Sequence, residues 1–136
     1  MDKTNPDHYR SIAVIIDDIR YEPIDVCENY DFCLGNAIKY ILRADRHHDG
    51  TKLNLCKAYW YLERLLKQEH ELLESSYIYP AGSSKHNVAK ILKVYREDFE
   101  ILSALLNPDG SANIENIDNA MSLITAHLEG MTNASK

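Results

Sequence analysis

Two long segments with a helical period of apolar residues limit what this chain can fold into. Over about residues 52–75, and again over 85–106, apolar side chains recur every three or four positions. That spacing places them along one side of an α-helix. Shorter segments at 32–46 and 114–129 follow the same pattern, and Gly130 is a typical stop for the last one. The sequence therefore predicts four strong helices.

The remaining segments read as connections or as weaker elements. Thr51 can cap the second helix, residues 79–84 have linker composition, and residues 107–110 have turn composition. The short β-branched run at 12–16 fits a helix or a strand, and we favour a helix. The expected fold is all-α: one domain over residues 1–136, a compact bundle of four to five helices. Helices of this length also suit dimers or larger oligomers.

Charge and cysteine content narrow the classes of partner. The formal net charge of -6 argues against non-specific nucleic-acid binding, which needs a positive footprint. The three cysteines form no CxxC pair, and an odd number is a poor disulfide framework. The first ten residues are polar, and no apolar run approaches the roughly 20 residues that span a bilayer. These features predict a cytoplasmic protein with no membrane partner.

Phosphate-binding glycine loops of the GxxxxGK[ST] and GxGxxG types are absent from the sequence. Two polar stripes on successive helices remain: Asn36, Lys39 and Arg43, then Lys57, Tyr61, Arg64 and Gln68. If the helices pack antiparallel, both stripes border one pocket, where lysine and arginine can hold a di- or triphosphate. Tyr40 or Trp60 could stack on a base. The alternative is an ordinary solvated face, the usual role of charged residues at helical spacing.

Four blocks of this sequence resemble, in order, the phage nucleotide kinases that lack a P-loop. Residues 5–9 look like that family's Asn-Pro-x-His-Tyr opening, and residues 21–26 like its Glu-x-Ile-Asp-Val segment. Residues 32–44 are similar to its Gly-Asn-Ala-Ile-Lys-Tyr-x-x-Arg-Ala block, and residues 57–62 to its Lys-Ala-x-Trp-Tyr-Leu block. The resemblance covers about residues 5–67.

The resemblance implies transfer of a phosphoryl group from a nucleoside triphosphate to a deoxynucleoside monophosphate without a P-loop. The one cofactor considered is Mg that enters with the triphosphate. The resemblance implies a site made of His8, Tyr9, Asn36, Lys39, Arg43 and Lys57, and we assign catalytic roles to His8, Lys39 and Arg43. The expected nucleotide-binding residues are Tyr9, Asn36 and Lys57, to which the helical spacing adds Tyr61 and Arg64 and the possibility of base stacking adds Tyr40. We expect no metal bound by protein side chains. On this interpretation residues 5–76 form the nucleotide-binding half, and 84–131 form a helical half of unknown role. The expected location is the cytosol of an infected bacterium.

Departures from the family pattern keep other functions open. Residues 45–48 replace a basic, glycine-containing stretch, and Asn54 stands where the family usually has Asp. A module that binds and sequesters a nucleotide or a host defence signal is one alternative, and a helical protein that binds a host partner is another. The acidic pairs Glu71/Glu74 and Glu97/Glu100 suggest an all-α nucleoside triphosphate pyrophosphatase, or else a solvated face. Residues 47–49 could bind a metal, although a polar turn fits them better.

Overall fold

The structure is a computed structural model that describes residues 13–46, 50–73, 77–81 and 85–134. Helices dominate these ranges, as the periodicity predicts, but a small two-stranded sheet precedes them, so the all-α assignment is too strict. The elements in chain order are β1 (Val14–Ile16), β2 (Ile19–Tyr21), α1 (Pro23–Cys27), α2 (Phe32–Arg46), α3 (Thr51–Leu73), α4 (Lys85–Asp98), α5 (Glu100–Leu105) and α6 (Ile114–Ala134).

Strands β1 and β2 form an antiparallel hairpin, so the helix favoured for residues 12–16 is wrong. Val14 pairs with Tyr21, and Ile16 pairs with Ile19. The turn between them consists of Asp17 and Asp18, with φ values of 52° and 64°. Two consecutive left-handed residues give the turn the twist that a two-residue hairpin requires. The β-branched run therefore pairs with a second strand that lies within five residues of it along the chain. The prediction of a helix for this run did not take that second strand into account.

Helices α2 and α3 form an antiparallel helical hairpin at the centre of the molecule, and α2 has the predicted bounds. Their facing sides are apolar, and the following side chains are almost fully buried: Leu34, Ile38, Leu42, Leu62 and Leu65. Thr51 is the first residue of α3, and its hydroxyl donates a hydrogen bond to the Ala44 carbonyl at 3.0 Å. This contact ties the start of α3 to the end of α2.

The predicted helix over 85–106 is broken at Phe99 into α4 and α5. Phe99 has extended backbone angles, φ -124° and ψ 98°, yet its side chain is buried and packs edge-on against Tyr95. The Arg96 Nε donates to the Leu106 carbonyl at 2.9 Å and so bridges the break. Apolar spacing continues through the break, because residues 95, 99, 102 and 106 all remain in the core. The periodicity therefore cannot reveal the bend.

Helix α6 closes the bundle by packing against α3 and α5. It follows the predicted turn at 107–110, where the Gly110 amide donates to the Asn107 carbonyl at 2.8 Å. The prediction that Gly130 ends this helix is wrong, since α6 continues to Ala134. Leu128 and Met131 pack against the core on either side of the glycine. That packing outweighs the low helix propensity of glycine, which is about 1 kcal/mol less favourable than alanine within a helix. Within the described ranges, no helix is long and apolar enough to cross a membrane.

Candidate functional site

The two predicted polar stripes lie side by side, because α2 and α3 run antiparallel. Tyr40 of α2 stacks on Tyr61 of α3, with ring centroids 5.9 Å apart and an interplanar angle of 10°. Nearer the start of α2, the Cys33 thiol donates to Gln68 Oε1 at 3.5 Å. The structure thus places the side of α3 that carries Tyr61 and Gln68 against residues that neighbour the α2 stripe, Tyr40 and Cys33.

Two lysines converge on the Tyr40 ring from different helices. Lys39 Nζ lies 4.5 Å from the ring centroid, and Lys57 Nζ lies 5.2 Å from it. The two ammonium groups are therefore at most about 10 Å apart. The negative face of the ring attracts each cation by about 0.5–1 kcal/mol at an exposed position. Each cation is thus held near the same ring by its own attraction to it.

Two exposed rings flank this cluster. Phe32 is 73% exposed and Trp60 is 56% exposed. Both meet the Tyr61 ring edge-on, at centroid distances of 5.9 Å and 5.1 Å respectively. We refer to the whole surface as the aromatic–lysine face; its members are Phe32, Lys39, Tyr40, Lys57, Trp60 and Tyr61.

The other predicted site residues border this face or fall outside the described ranges. Asn36 donates from Nδ2 to the Phe32 carbonyl of its own helix at 2.7 Å, which leaves its Oδ1 to act towards a ligand. Arg43 follows Lys39 by one turn and is half-buried, with a buried Nε. Arg64 is exposed, one turn beyond Tyr61. His8 and Tyr9 lie outside the described residues, so their roles stay predictions.

Sequence reasoning missed Phe32 as part of the face. The apolar pattern assigns Phe32 to the buried stripe of α2, whereas its ring points outwards beside Tyr61. One signal was available: Phe32 precedes Asn36 by four positions and therefore falls on the polar stripe rather than beside Leu34. Applied strictly, helical spacing would have placed this ring beside the tyrosines.

The charge of the chain is unevenly distributed around this face. Residues 32–68 contain seven of the fifteen Lys and Arg, but three of the twenty-one Asp and Glu. The net charge of -6 therefore averages a basic region with acidic ones. Beneath the face, burial raises the pKa of the Cys27 thiol to about 12, and the positive charge of Lys39 partly opposes that rise. A thiol in this state stays protonated and is a packing group at neutral pH.

A separate cleft of about 320 Å³ opens on another side of the bundle. Ile41, Leu55, Phe99 and Met131 form much of its wall, and His127 lies at its edge with Nε2 3.9 Å from a carboxylate oxygen of Glu100. None of the site residues within the described ranges lines this cleft.

Of the two acidic pairs, only Glu97 and Glu100 have described side chains. Glu97 lies near the end of α4 and Glu100 begins α5, on opposite sides of the break at Phe99. The side chains of Glu71 and Glu74 fall outside the described set. Where side chains are described, no group of three or more His, Cys, Asp or Glu residues could hold a metal ion.

Comparison with known proteins finds one family model that is similar to part of the chain. Residues 3–63 match a family described as a protein of unknown function, DUF3310. The match covers β1 to α2 and roughly the first half of α3, which includes all six members of the aromatic–lysine face. No curated protein and no solved structure matches the chain.

Proposed function

We propose that this protein binds a nucleotide on the aromatic–lysine face and transfers a phosphoryl group from a nucleoside triphosphate to a deoxynucleoside monophosphate. The observation that supports the proposal most is the convergence of Lys39 and Lys57, from two helices, on the Tyr40 ring. The resemblance to phage nucleotide kinases leads to the same residues by an independent route.

The lysine pair suits a phosphate chain for electrostatic reasons. Two ammonium groups this close repel each other, and a phosphate placed between them removes that repulsion while gaining charge-assisted hydrogen bonds. Arg43, one turn beyond Lys39, would add a bidentate donor at the inner edge of the face. In phosphoryl transfer such fixed cations position the reacting groups and neutralise the oxygens of the transferred phosphoryl group.

The exposed rings suit a base. Phe32 and Trp60 present apolar surface beside the cations, and stacking of a base on an aromatic side chain contributes about 1–3 kcal/mol. Because no described carboxylate cluster could hold a metal ion, Mg²⁺ would arrive with the triphosphate and be held through its phosphate oxygens. His8 and Tyr9 are assigned near the acceptor by the resemblance alone.

Calorimetric titration with nucleoside mono- and triphosphates tests the binding step. Replacing Lys57 with alanine should weaken binding by about tenfold to a hundredfold, since one charge-assisted hydrogen bond contributes about 1.5–3 kcal/mol. The matched control is Lys93→Ala, which removes an exposed lysine from α4, outside the face. Equal affinities for the two variants would contradict the proposed site.

Product analysis tests the transfer step. A kinase converts one triphosphate and one monophosphate into two diphosphates, and neither substrate alone should react. Release of pyrophosphate from a triphosphate alone would instead identify a pyrophosphatase.

Binding without turnover is the second candidate, and Asn54 favours it. The family pattern usually has an aspartate at this position, whereas this chain has a neutral amide that is 3% exposed. A buried amide can neither accept a proton nor hold a metal as a carboxylate does. Stoichiometric binding, followed by recovery of the intact nucleotide after denaturation, would distinguish sequestration from transfer.

A further inference from the structure

The outward side of α3 carries apolar and basic residues in a single line. Leu53 and Trp60 are 59% and 56% exposed, and Lys67 follows at the same seven-residue interval. Arg64 is exposed beside them. Lys67 Nζ lies 4.0 Å from Glu63 Oε1, in an ion pair whose two side chains are both exposed. We refer to Leu53, Trp60, Arg64 and Lys67 as the basic stripe. Large exposed apolar side chains set among cations are typical of a protein interface, where Trp and Arg are the commonest anchors.

The outward side of α6 has the opposite character. Glu115, Asp118 and Glu129 are all exposed on it, and the positions between them are small or polar. Ser122 lies midway between Glu115 and Glu129, seven residues from each. Residues 97–135 contain seven Asp and Glu and no Lys or Arg. We refer to Glu115, Asp118, Ser122 and Glu129 as the acidic face.

We infer that the basic stripe of one molecule binds the acidic face of a second copy of this chain. Both surfaces run for fourteen residues along a helix, or about 21 Å, so they match in length. The small Ser122 at the centre of the acidic face leaves room for the bulky Trp60 at the centre of the stripe. Because both surfaces point away from the core of one molecule, they can meet only between molecules.

This pairing joins two different surfaces. A two-fold dimer would make the contact twice, whereas a single contact per pair of molecules would continue into a closed ring or an open filament. The inference does not rest on the proposed function, but the two share Trp60, so a second copy bound to the stripe would cover a ring that is also proposed to stack on a base. Charge pairs at the edges of the contact should make assembly weaken as salt rises.

The test uses two variants of the full chain, each blocked on one surface. Arg64→Glu with Trp60→Ala blocks the stripe, and Asp118→Arg with Ser122→Arg blocks the face. Sedimentation in nucleotide-free buffer should show wild-type oligomers whose association weakens at least tenfold between about 0.05 M and about 0.5 M NaCl. Each blocked variant alone should be monomeric. An equal mixture should form one-to-one dimers and nothing larger, because only one stripe and one face remain usable.

Several outcomes would overturn the inference. A wild-type chain that stays monomeric at all protein concentrations has no such contact. Assembly of the face-blocked variant alone would show that α3 pairs with α3, and monomers in the mixture would show that the two surfaces do not bind each other. Circular dichroism of each variant checks that the helices are intact. Lys93→Glu, an exposed charge reversal on α4, serves as the control and should assemble like the wild type.

Discussion

Replacing Gly35 with alanine should destabilise the protein, although the same change helps most helices. A Cβ added at Gly35 would lie 2.7 Å from the Cys27 carbonyl oxygen, where ordinary contacts begin near 3.4 Å. That oxygen is a backbone atom at the end of α1, and it accepts a hydrogen bond from the Tyr30 amide at 3.2 Å. It therefore cannot rotate aside as a side chain would, and α1 must move away from α2 by several tenths of an ångström.

The expected magnitude follows from two opposing effects. Alanine gains about 1 kcal/mol over glycine within a helix, and forcing extra volume into a packed contact costs about 1–3 kcal/mol or more. Because one side of the contact is backbone, the cost of overpacking should exceed the gain in helix propensity. The free energy of unfolding should therefore fall by about 1–2 kcal/mol. For a domain of this size that corresponds to a loss of roughly 4–8 °C in Tm.

Gly130→Ala is the matched control, because it makes the same change in another helix where a Cβ meets nothing within 4 Å. It should raise the free energy of unfolding by about 0.5–1 kcal/mol. Urea unfolding of both variants, followed by circular dichroism, measures the difference. A Gly35→Ala variant as stable as Gly130→Ala would refute the close contact of α1 with α2. A destabilised Gly130→Ala variant would show that α6 ends there after all.

Three further predictions concern thiols and caps. In the native protein a thiol reagent should modify Cys56 rapidly, since it is exposed, and should reach the two buried cysteines only after denaturation; rapid modification of all three would contradict their burial. Because burial raises the pKa of Cys27 from 9.0 to about 12, folding favours the protonated thiol. The contribution of Cys27 to stability should thus be constant below pH 9 and be lost between pH 9 and about 12, so stability over that range should fall less steeply in Cys27→Ala than in the wild type. Asn116→Ala should lower the free energy of unfolding, measured in urea, by about 1–2 kcal/mol. The reason is that Asn116 Oδ1 accepts a hydrogen bond from the Asn113 amide at 3.1 Å, and its Nδ2 donates one to the Ala104 carbonyl at 3.0 Å. A loss below about 0.5 kcal/mol would contradict this role.

The helices were predictable because their information is local. The bounds of α2, the start of α6 and the turn at 107–110 all follow from apolar spacing and turn residues. The hairpin was not predictable in this way, because its turn places two aspartates rather than glycine or asparagine in left-handed conformations. The break at Phe99 was hidden for a different reason: a buried ring satisfies the apolar period whether or not the backbone around it is helical.

The face was predictable as two stripes but not as a set of contacts. Spacing by three and four gives the stripe on each helix, and a short connection implies antiparallel packing. Which rings stack depends on the register between helices, and a shift of one residue would change every pair. That Tyr40 meets Tyr61, and that Lys57 reaches the Tyr40 ring, follows only from the fold.

The structure also divides the most distinctive block of the sequence, residues 35–40, into residues that packing explains and residues that it does not. Gly35 admits the Cys27 carbonyl, and Ala37 and Ile38 are fully buried between helices. Any protein with this helical hairpin would need small or apolar residues at those positions, so they say nothing about activity. Asn36 and Lys39 are partly exposed, and packing would accept many other residues there. Tyr40 is partly exposed as well, but it packs against the core and stacks on Tyr61. On the proposed function, substitutions of Asn36 and Lys39 should therefore change nucleotide binding before they change stability.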